Sequence, residues 1–292
     1  MRCLFTVPLA WGAKVVARLP QRALLGLGRG TAWLAWPLLR KRRRIAAINI
    51  ALCFPGLDAQ RQAALVRETL VNTVVGVFEM MRAWYAPSAT LAGMVRIEGI
   101  EHLRAATAQG RGVMLLCGHF THAELAARLL GEALGHPLRG IIRRYNNPCL
   151  EQWFSQARRP VFGTTLAKRD VRGLLRALSD GEVVFYAADQ DFNFQHAFVP
   201  FFGVTAATLA ATPDLARRGR ATVLPFWFRR EDDGRYLLRI EPCWPGWPSG
   251  DPERDAAHYM QALEAAVRES PGQYLWAHRR FKTRPPGEPP LY

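Results

Sequence analysis

Val113-Met114-Leu115-Leu116-Cys117-Gly118-His119-Phe120-Thr121-His122-Ala123-Glu124 sets five consecutive apolar residues before a glycine and a polar cluster. An unbroken apolar run of that length reads as a strand buried on both faces. Glu124 to Leu130 follow as a helix, so His119 falls at the carboxyl end of a strand, where α/β sheets place their ligands. The same alternation continues downstream. Gly140-Ile141-Ile142 predicts a second strand and Pro148–Phe154 a helix. Asp170–Leu178 predicts another helix, Asp180-Gly181 a turn and Glu182–Tyr186 a third strand. Ala221–Phe228 and Tyr236–Ile240 predict two more strands around the turn Glu231-Asp232-Asp233-Gly234. Upstream, the apolar positions Leu65, Leu70, Val74, Val77, Phe78 and Met81 predict one helix or two between Leu57 and Tyr85. The expected fold class is therefore α/β, a central sheet flanked by helices.

Of the 292 residues, 49% are hydrophobic, enough for one large or two ordinary domains and too many for a disordered chain. Lys and Arg number 39 against 24 Asp and Glu, a formal net charge of +15. That excess calls for an anionic partner: nucleic acid, a membrane surface or an acidic protein. It is concentrated at the N-terminus, where residues 1–60 hold ten bases, Arg2 among them, and a single acid, Asp58. Apolar runs lie between the bases, at Cys3–Trp11 and Ala23–Leu39. The second approaches the ~17-residue minimum for a membrane span. Arg29 and the glycines Gly26, Gly28 and Gly30 interrupt it, and it ends in Trp33, Trp36 and the block Arg40-Lys41-Arg42-Arg43-Arg44. Residues 1–44 are thus expected to form a membrane-associated helical segment, spanning or interfacial, ahead of a domain over 45–292; a buried helical hairpin is the alternative. Tryptophans set among leucines and alanines suit lipid better than base stacking, and no small-residue cleavage site marks a removable signal peptide. The five cysteines, Cys3, Cys53, Cys117, Cys149 and Cys243, are scattered and odd in number. They are expected to be small buried residues in a reducing setting, without a disulfide framework.

Nucleotide signatures are absent. Gly26-Leu27-Gly28-Arg29-Gly30 follows no predicted strand and lacks the third glycine of a dinucleotide loop, and the chain carries no Walker A run and no G-x-S-x-G elbow. His119 and His122 are three apart with no acid between them, unlike a zinc-protease pair. On one continuous helix His119 and Glu124 would lie about 140° apart. They meet only if His119 sits on the loop and the helix begins near Thr121. Glu124 would then orient the imidazole and leave its other nitrogen to take a hydroxyl proton. The alternative is a capping box, Thr121-x-x-Glu124, which involves no catalysis. His122 is expected to be structural.

His119-x4-Glu124 resembles the H-x4-D/E motif of glycerolipid acyltransferases in its glutamate form. Four further blocks resemble, in order, those of the bacterial lipid A late acyltransferases. Arg143-Arg144-Tyr145-Asn146-Asn147-Pro148 is similar to their R-x-x-x-N-P block. Gly181-Glu182-Val183-Val184-Phe185-Tyr186 with Ala187-Ala188-Asp189-Gln190-Asp191 is similar to their G-E-V-V-x-Y-x-x-D-x-D block. Phe198-Val199-Pro200-Phe201-Phe202-Gly203 and the tail from Trp276 through His278, Arg279 and Arg280 to Pro285 complete the set. Gly118, Arg144 and Gln190 stand where the family commonly has asparagine or tryptophan, proline, and histidine.

The resemblance implies transfer of a fatty acyl group from acyl carrier protein to a hydroxyl of a lipid A precursor, at the cytoplasmic face of a bacterial inner membrane. No cofactor, metal or nucleic acid is called for. His119 would be the general base and Glu124 its orienting partner, and His119→Ala and Glu124→Ala would each abolish transfer without unfolding the chain. Arg143 would stabilise the oxyanion or grip a phosphate. Asn147, Asp189 and Asp191 would hold the sugar or orient Arg143, and Arg279 and Arg280 would bind acceptor phosphates or the acidic carrier protein. The same chemistry on another lipid acceptor is an alternative, and a basic nucleic-acid-binding protein is the rival from another class.

Overall fold

In the computed structural model, which describes residues 3–292, the N-terminal helices α1 (Thr6–Ala17), α2 (Gln21–Leu34) and α3 (Arg40–Cys53) pack on the 27-residue α4 (Ala59–Tyr85). Arg2 lies outside the described residues. The short α5 (Ser88–Leu91) leads to β1 (Val95–Glu98) and α6 (Ile100–Ala108). Then follow β2 (Val113–Cys117), α7 (Ala123–Leu134), β3 (Arg139–Ile142), α8 (Pro148–Ala157), α9 (Arg159–Phe162), β4 (Thr165–Ala167), α10 (Val171–Ser179) and β5 (Val183–Ala187). A hairpin of β6 (His196–Phe201) and β7 (Val204–Leu209) precedes α11 (Thr212–Arg218), β8 (Thr222–Arg230), β9 (Tyr236–Ile240) and α12 (Pro252–Glu269).

Seven strands form one sheet in the order β1-β9-β8-β2-β5-β3-β4, parallel except where β9 returns against β8. This is the expected α/β arrangement. Strand β2 lies in its centre, paired in parallel with both β5 and β8, and all five of its side chains are buried. That double burial is why an uninterrupted apolar run was required of it. Local chemistry fixes the helix starts: Asp58, Asn147, Asp170 and Asp251 each accept backbone N–H bonds at the head of α4, α8, α10 and α12.

The N-terminal helices are fastened to the sheet by a buried polar network. Gln21 donates to the Gly234 carbonyl and to the Tyr236 hydroxyl, both at 2.9 Å, and accepts from Arg82 at 2.7 Å. Tyr236 in turn donates to Glu79 at 2.5 Å, which also accepts from Arg230 at 2.7 Å. A small apolar cluster of Leu24, Leu25 and Val75 seals α2 on α4. Gly28 permits this approach, since a Cβ there would come within 2.9 Å of Val75. The division expected between residues 44 and 45 falls inside α3, which runs unbroken across it.

No described helix is long and apolar enough to cross a membrane, so the spanning form of the N-terminal expectation has no helix to carry it. What the helices do show is exposed apolar surface, with Trp11 at 69%, Trp33 at 77% and Leu38 at 86% exposure. The cysteine reading needs a correction as well. Cys53 and Cys117 are buried and free, but Cys3 and Cys149 are joined by a disulfide, because the chain entering α1 passes the first turn of α8. A pair 146 residues apart leaves no spacing motif to read.

His122 is structural, as expected. It is 1% exposed, neither ring nitrogen has a partner, and the ring packs on Phe228 and Tyr236. Burial, with Arg230 nearby and despite Glu79, pushes its pKa down to about 4. An unfolded histidine titrates near 6.5, so between pH 6.5 and 4 the unfolded chain holds a proton that the folded chain lacks. Stability from this group is complete above the unfolded value and falls as pH drops through that window, by up to roughly 3 kcal/mol. Denaturant midpoints at pH 7 and 4.5 should therefore differ less in His122→Phe than in the unsubstituted protein. Equal differences in the two proteins would refute the assignment.

Candidate active site

Two parallel neighbours set the site. In the β2–β5 ladder Cys117 pairs with Ala187, so the residues two beyond each strand end, His119 and Asp189, emerge side by side. The Asp189 carboxylate is 1% exposed and accepts three hydrogen bonds. The His119 amide donates to Oδ2 at 3.0 Å, the Tyr274 hydroxyl to Oδ2 at 2.7 Å, and the His119 ring meets Oδ1 through Nδ1 at 2.5 Å. Burial alone would raise the Asp189 pKa, but His119 and these donors outweigh it and hold the carboxyl well below the usual range. An ionised carboxylate only accepts, so Nδ1 carries a proton, and in the neutral imidazole Nε2 is then the acceptor. The ring itself is one-third exposed.

The loop is held from several sides. Leu275 donates to the His119 carbonyl at 3.0 Å, Thr121 to the Gln273 carbonyl at 2.9 Å, and Tyr259 to the Cys117 carbonyl at 2.7 Å. Gly76 lets α4 touch the same loop, since a Cβ there would lie 2.2 Å from the Thr121 carbonyl oxygen. Gly118 lets α12 in: a Cβ would come within 2.4 Å of the Leu263 side chain.

Glu124 is not the partner of His119. Among the described residues no hydrogen bond or ion pair joins them. Its Oε1 takes Nε and Nη2 of Arg158, both at 2.8 Å, and its Oε2 takes the Trp84 indole N–H at 2.5 Å. The Arg158 guanidinium lies over the rings of Trp84, Phe154 and Tyr145 at 5.0–6.0 Å. The capping box does not form either, because Thr121 Oγ1 is buried without a partner and no side chain caps α7. Starting α7 at Ala123 turns Glu124 away from the loop, toward α4 and α9.

The remaining candidates separate by burial. Arg143 is exposed at the end of β3 and lines a small cleft with Arg144 and Arg158. Burial, then Arg143 and Arg169, push the pKa of nearby Lys168 down, the mark of gathered like charge. Asn147 caps α8, accepting from the amides of Cys149 and Leu150. Asp191 holds the C-terminal tail, accepting from the Thr283 amide at 2.9 Å and hydroxyl at 3.0 Å. Arg279 is exposed beside Tyr292. Arg280, expected to meet phosphates, is 2% exposed and donates to the Ala207 carbonyl and Thr208 hydroxyl, which commits it to the β6–β7 hairpin. Tyr274 and His278 were missed as members of the site; they come from the chain after α12 and line one narrow cleft with His119 and Asp189. A cleft of about 1180 Å³ lies elsewhere, around Gly112 and Arg220 at the amino ends of β2 and β8.

A family model described as bacterial lipid A biosynthesis acyltransferase matches residues 5–283. The chain belongs to this family. It is 36% identical to the lipid A biosynthesis lauroyltransferase of Escherichia coli K12, covering 95% of this chain and 91% of that one. Identity to the palmitoleoyltransferase of the same strain is 34%, covering 94% and 90%, and to its myristoyltransferase 26%, covering 97% and 91%. The protein is accordingly an acyltransferase of lipid A biosynthesis.

The Glu124–Arg158 pair changes what one substitution should do. Removing Glu124 leaves a mostly buried guanidinium without its carboxylate, which costs about 3 kcal/mol or more. Glu124→Ala should therefore lower the urea midpoint clearly, contrary to the expectation of an unchanged fold, while His119→Ala, at a ring one-third exposed, should lower it much less. An unshifted Glu124→Ala midpoint would contradict this account.

Proposed function

We propose that this acyltransferase moves a fatty acyl chain from acyl carrier protein to a hydroxyl of a lipid A precursor, with His119 as general base. The observation that carries the reading is the His119–Asp189 pair, which frees Nε2 as an acceptor. The acceptor oxygen attacks the thioester carbonyl carbon while Nε2 takes its proton and the carbonyl π pair moves onto oxygen. Collapse re-forms the carbonyl and breaks the C–S bond, and the departing thiolate takes the proton back from His119. No acyl-enzyme is needed. Asp189 holds the tautomer and stabilises the imidazolium. Glu124, in this account, positions Arg158 at the edge of the cleft that carries Arg143. Arg143 and Arg279, both exposed, are assigned to acceptor phosphates or to acids of the carrier protein.

The second part of the reading is location on the cytoplasmic face of the inner membrane. Trp11, Trp33, Leu34 and Leu38 give α1, α2 and the turn after them an apolar surface, and Arg40-Lys41-Arg42-Arg43-Arg44 lies beside it. An interfacial attachment fits that combination.

With acyl carrier protein thioester and purified precursor, His119→Ala and Asp189→Asn should each lower kcat by about 10²-fold or more while both proteins stay folded. Near-normal turnover by His119→Ala would overturn the mechanism. For attachment, replacing Trp11, Trp33 and Leu38 together with serine should cut sedimentation with anionic vesicles by roughly tenfold or more. Undiminished sedimentation would place the contact elsewhere.

A further inference from the structure

The segment after α12 runs past His119 and is tied down at almost every residue. Leu275 donates to the His119 carbonyl, and Asn49, itself 0% exposed, donates to the carbonyls of both Trp276 and His278 at 2.7 Å. The C-terminal Tyr292 hydroxyl closes the set on Asn49 Oδ1. His278 is further fixed through its ring, where Nε2 accepts the Asp191 amide N–H at 3.2 Å. A ring nitrogen that accepts must be unprotonated, so the proton of the neutral imidazole resides on Nδ1. Among the described residues no protein group accepts from that Nδ1. His278 also lines, with His119, Asp189 and Asn49, a cleft of about 10 Å³, room for a single oxygen-sized group.

We propose that His278 is a second catalytic residue of the acyl transfer, its Nδ1–H donating to the oxyanion that forms on the thioester carbonyl. The proposal rests on the reading of His119 as the base. Its physical logic is pre-organisation: a donor held by Asp191 and Asn49 needs no reorientation when charge develops on the oxygen. Neutrality matters equally. A cationic donor here would oppose the positive charge His119 acquires as it takes the proton, and an uncharged N–H does not. Burial, with help from His119 and Arg280, pushes the His278 pKa down to about 4 against the opposing pull of Asp189 and Asp191, so the ring stays uncharged at neutral pH.

Three substitutions separate a donor from a structural prop. His278→Asn keeps an amide N–H near the Nδ1 position and loses the Asp191 contact. His278→Gln keeps an acceptor near the Nε2 position and loses the donor at Nδ1, and His278→Phe keeps neither. Turnover of the full chain is measured with acyl carrier protein thioester and lipid A precursor, beside His119→Ala and with thermal unfolding of each variant. The proposal expects kcat to fall about 10²-fold in His278→Gln and His278→Phe, with KM changed less than about threefold, and His278→Asn to recover at least tenfold over His278→Gln. Near-normal kcat in His278→Gln, or no advantage of His278→Asn over it, overturns the donor role. Should His278→Phe fail to fold, the Asn–Gln comparison still decides. Active His119→Ala would instead sink the general-base reading, a different result from failure of the His278 series alone.

Discussion

A carboxylate removed from water must have its oxygens fully engaged, and at Asp189 that requirement organises the active site. Its three donors come from two separate stretches of chain: the loop after β2 supplies the His119 ring and amide, and the turn after α12 supplies Tyr274. Each stretch is therefore pinned to the carboxylate, and the β2–β5 register holds the carboxylate in turn. Loss of the Asp189 side chain would free the His119 ring and leave the Tyr274 hydroxyl, itself buried, without its acceptor. The placement of the His119 ring and the packing of the chain after α12 are the same constraint seen from two sides.

Glu79 anchors a second network at the other side of β8 through one oxygen, Oε1, while its Oε2 is buried without a hydrogen-bond partner. It is wholly buried and binds Tyr236 and Arg230, and through Tyr236 reaches Gln21 and Arg82. This network crosses from α2 through α4 to β9, so the N-terminal helices cannot be peeled away without exposing several desolvated polar groups at once. A flexible tether would need no such network. The apolar faces of α1 and α2 are consequently presented in a fixed orientation relative to His119, which an enzyme drawing its acceptor from a lipid layer would require.

Much of the sheet was legible because parallel strands buried on both faces leave continuous apolar runs, as at Val113–Cys117 and Val183–Ala187. Three-residue β4 and half-exposed β1 leave no such run. His119 was legible as a histidine at a strand end. Its carboxylate was not, because spacing detects neighbours along a helix and Asp189 is 70 residues away, reachable only through strand register. The same blindness gave Glu124 to His119 when its true partner, Arg158, lies 34 residues on. Arg280 illustrates the converse. It stands in a run of bases and reads as surface charge, yet the hairpin's carbonyl and hydroxyl groups satisfy it inside the core.

The net charge of +15 divides along the same lines. In the sheet domain many arginines are spent internally: Arg139 on Glu182, Arg158 on Glu124, Arg230 on Glu79, Arg239 on Glu269. Among the described residues no ion pair involves any base before Arg61. Arg40, Lys41, Arg42 and Arg44 are exposed, and the only side-chain hydrogen bond among them is Arg42 to the Ala277 carbonyl. A block of unneutralised bases beside exposed tryptophans repels itself, by an amount only an external anion relieves. Near an anionic lipid surface each such base is worth about 1 kcal/mol, and the exposed apolar side chains add to it. Both the bases and the apolar side chains sit on or between helices packed against α4, the helix that carries Glu79.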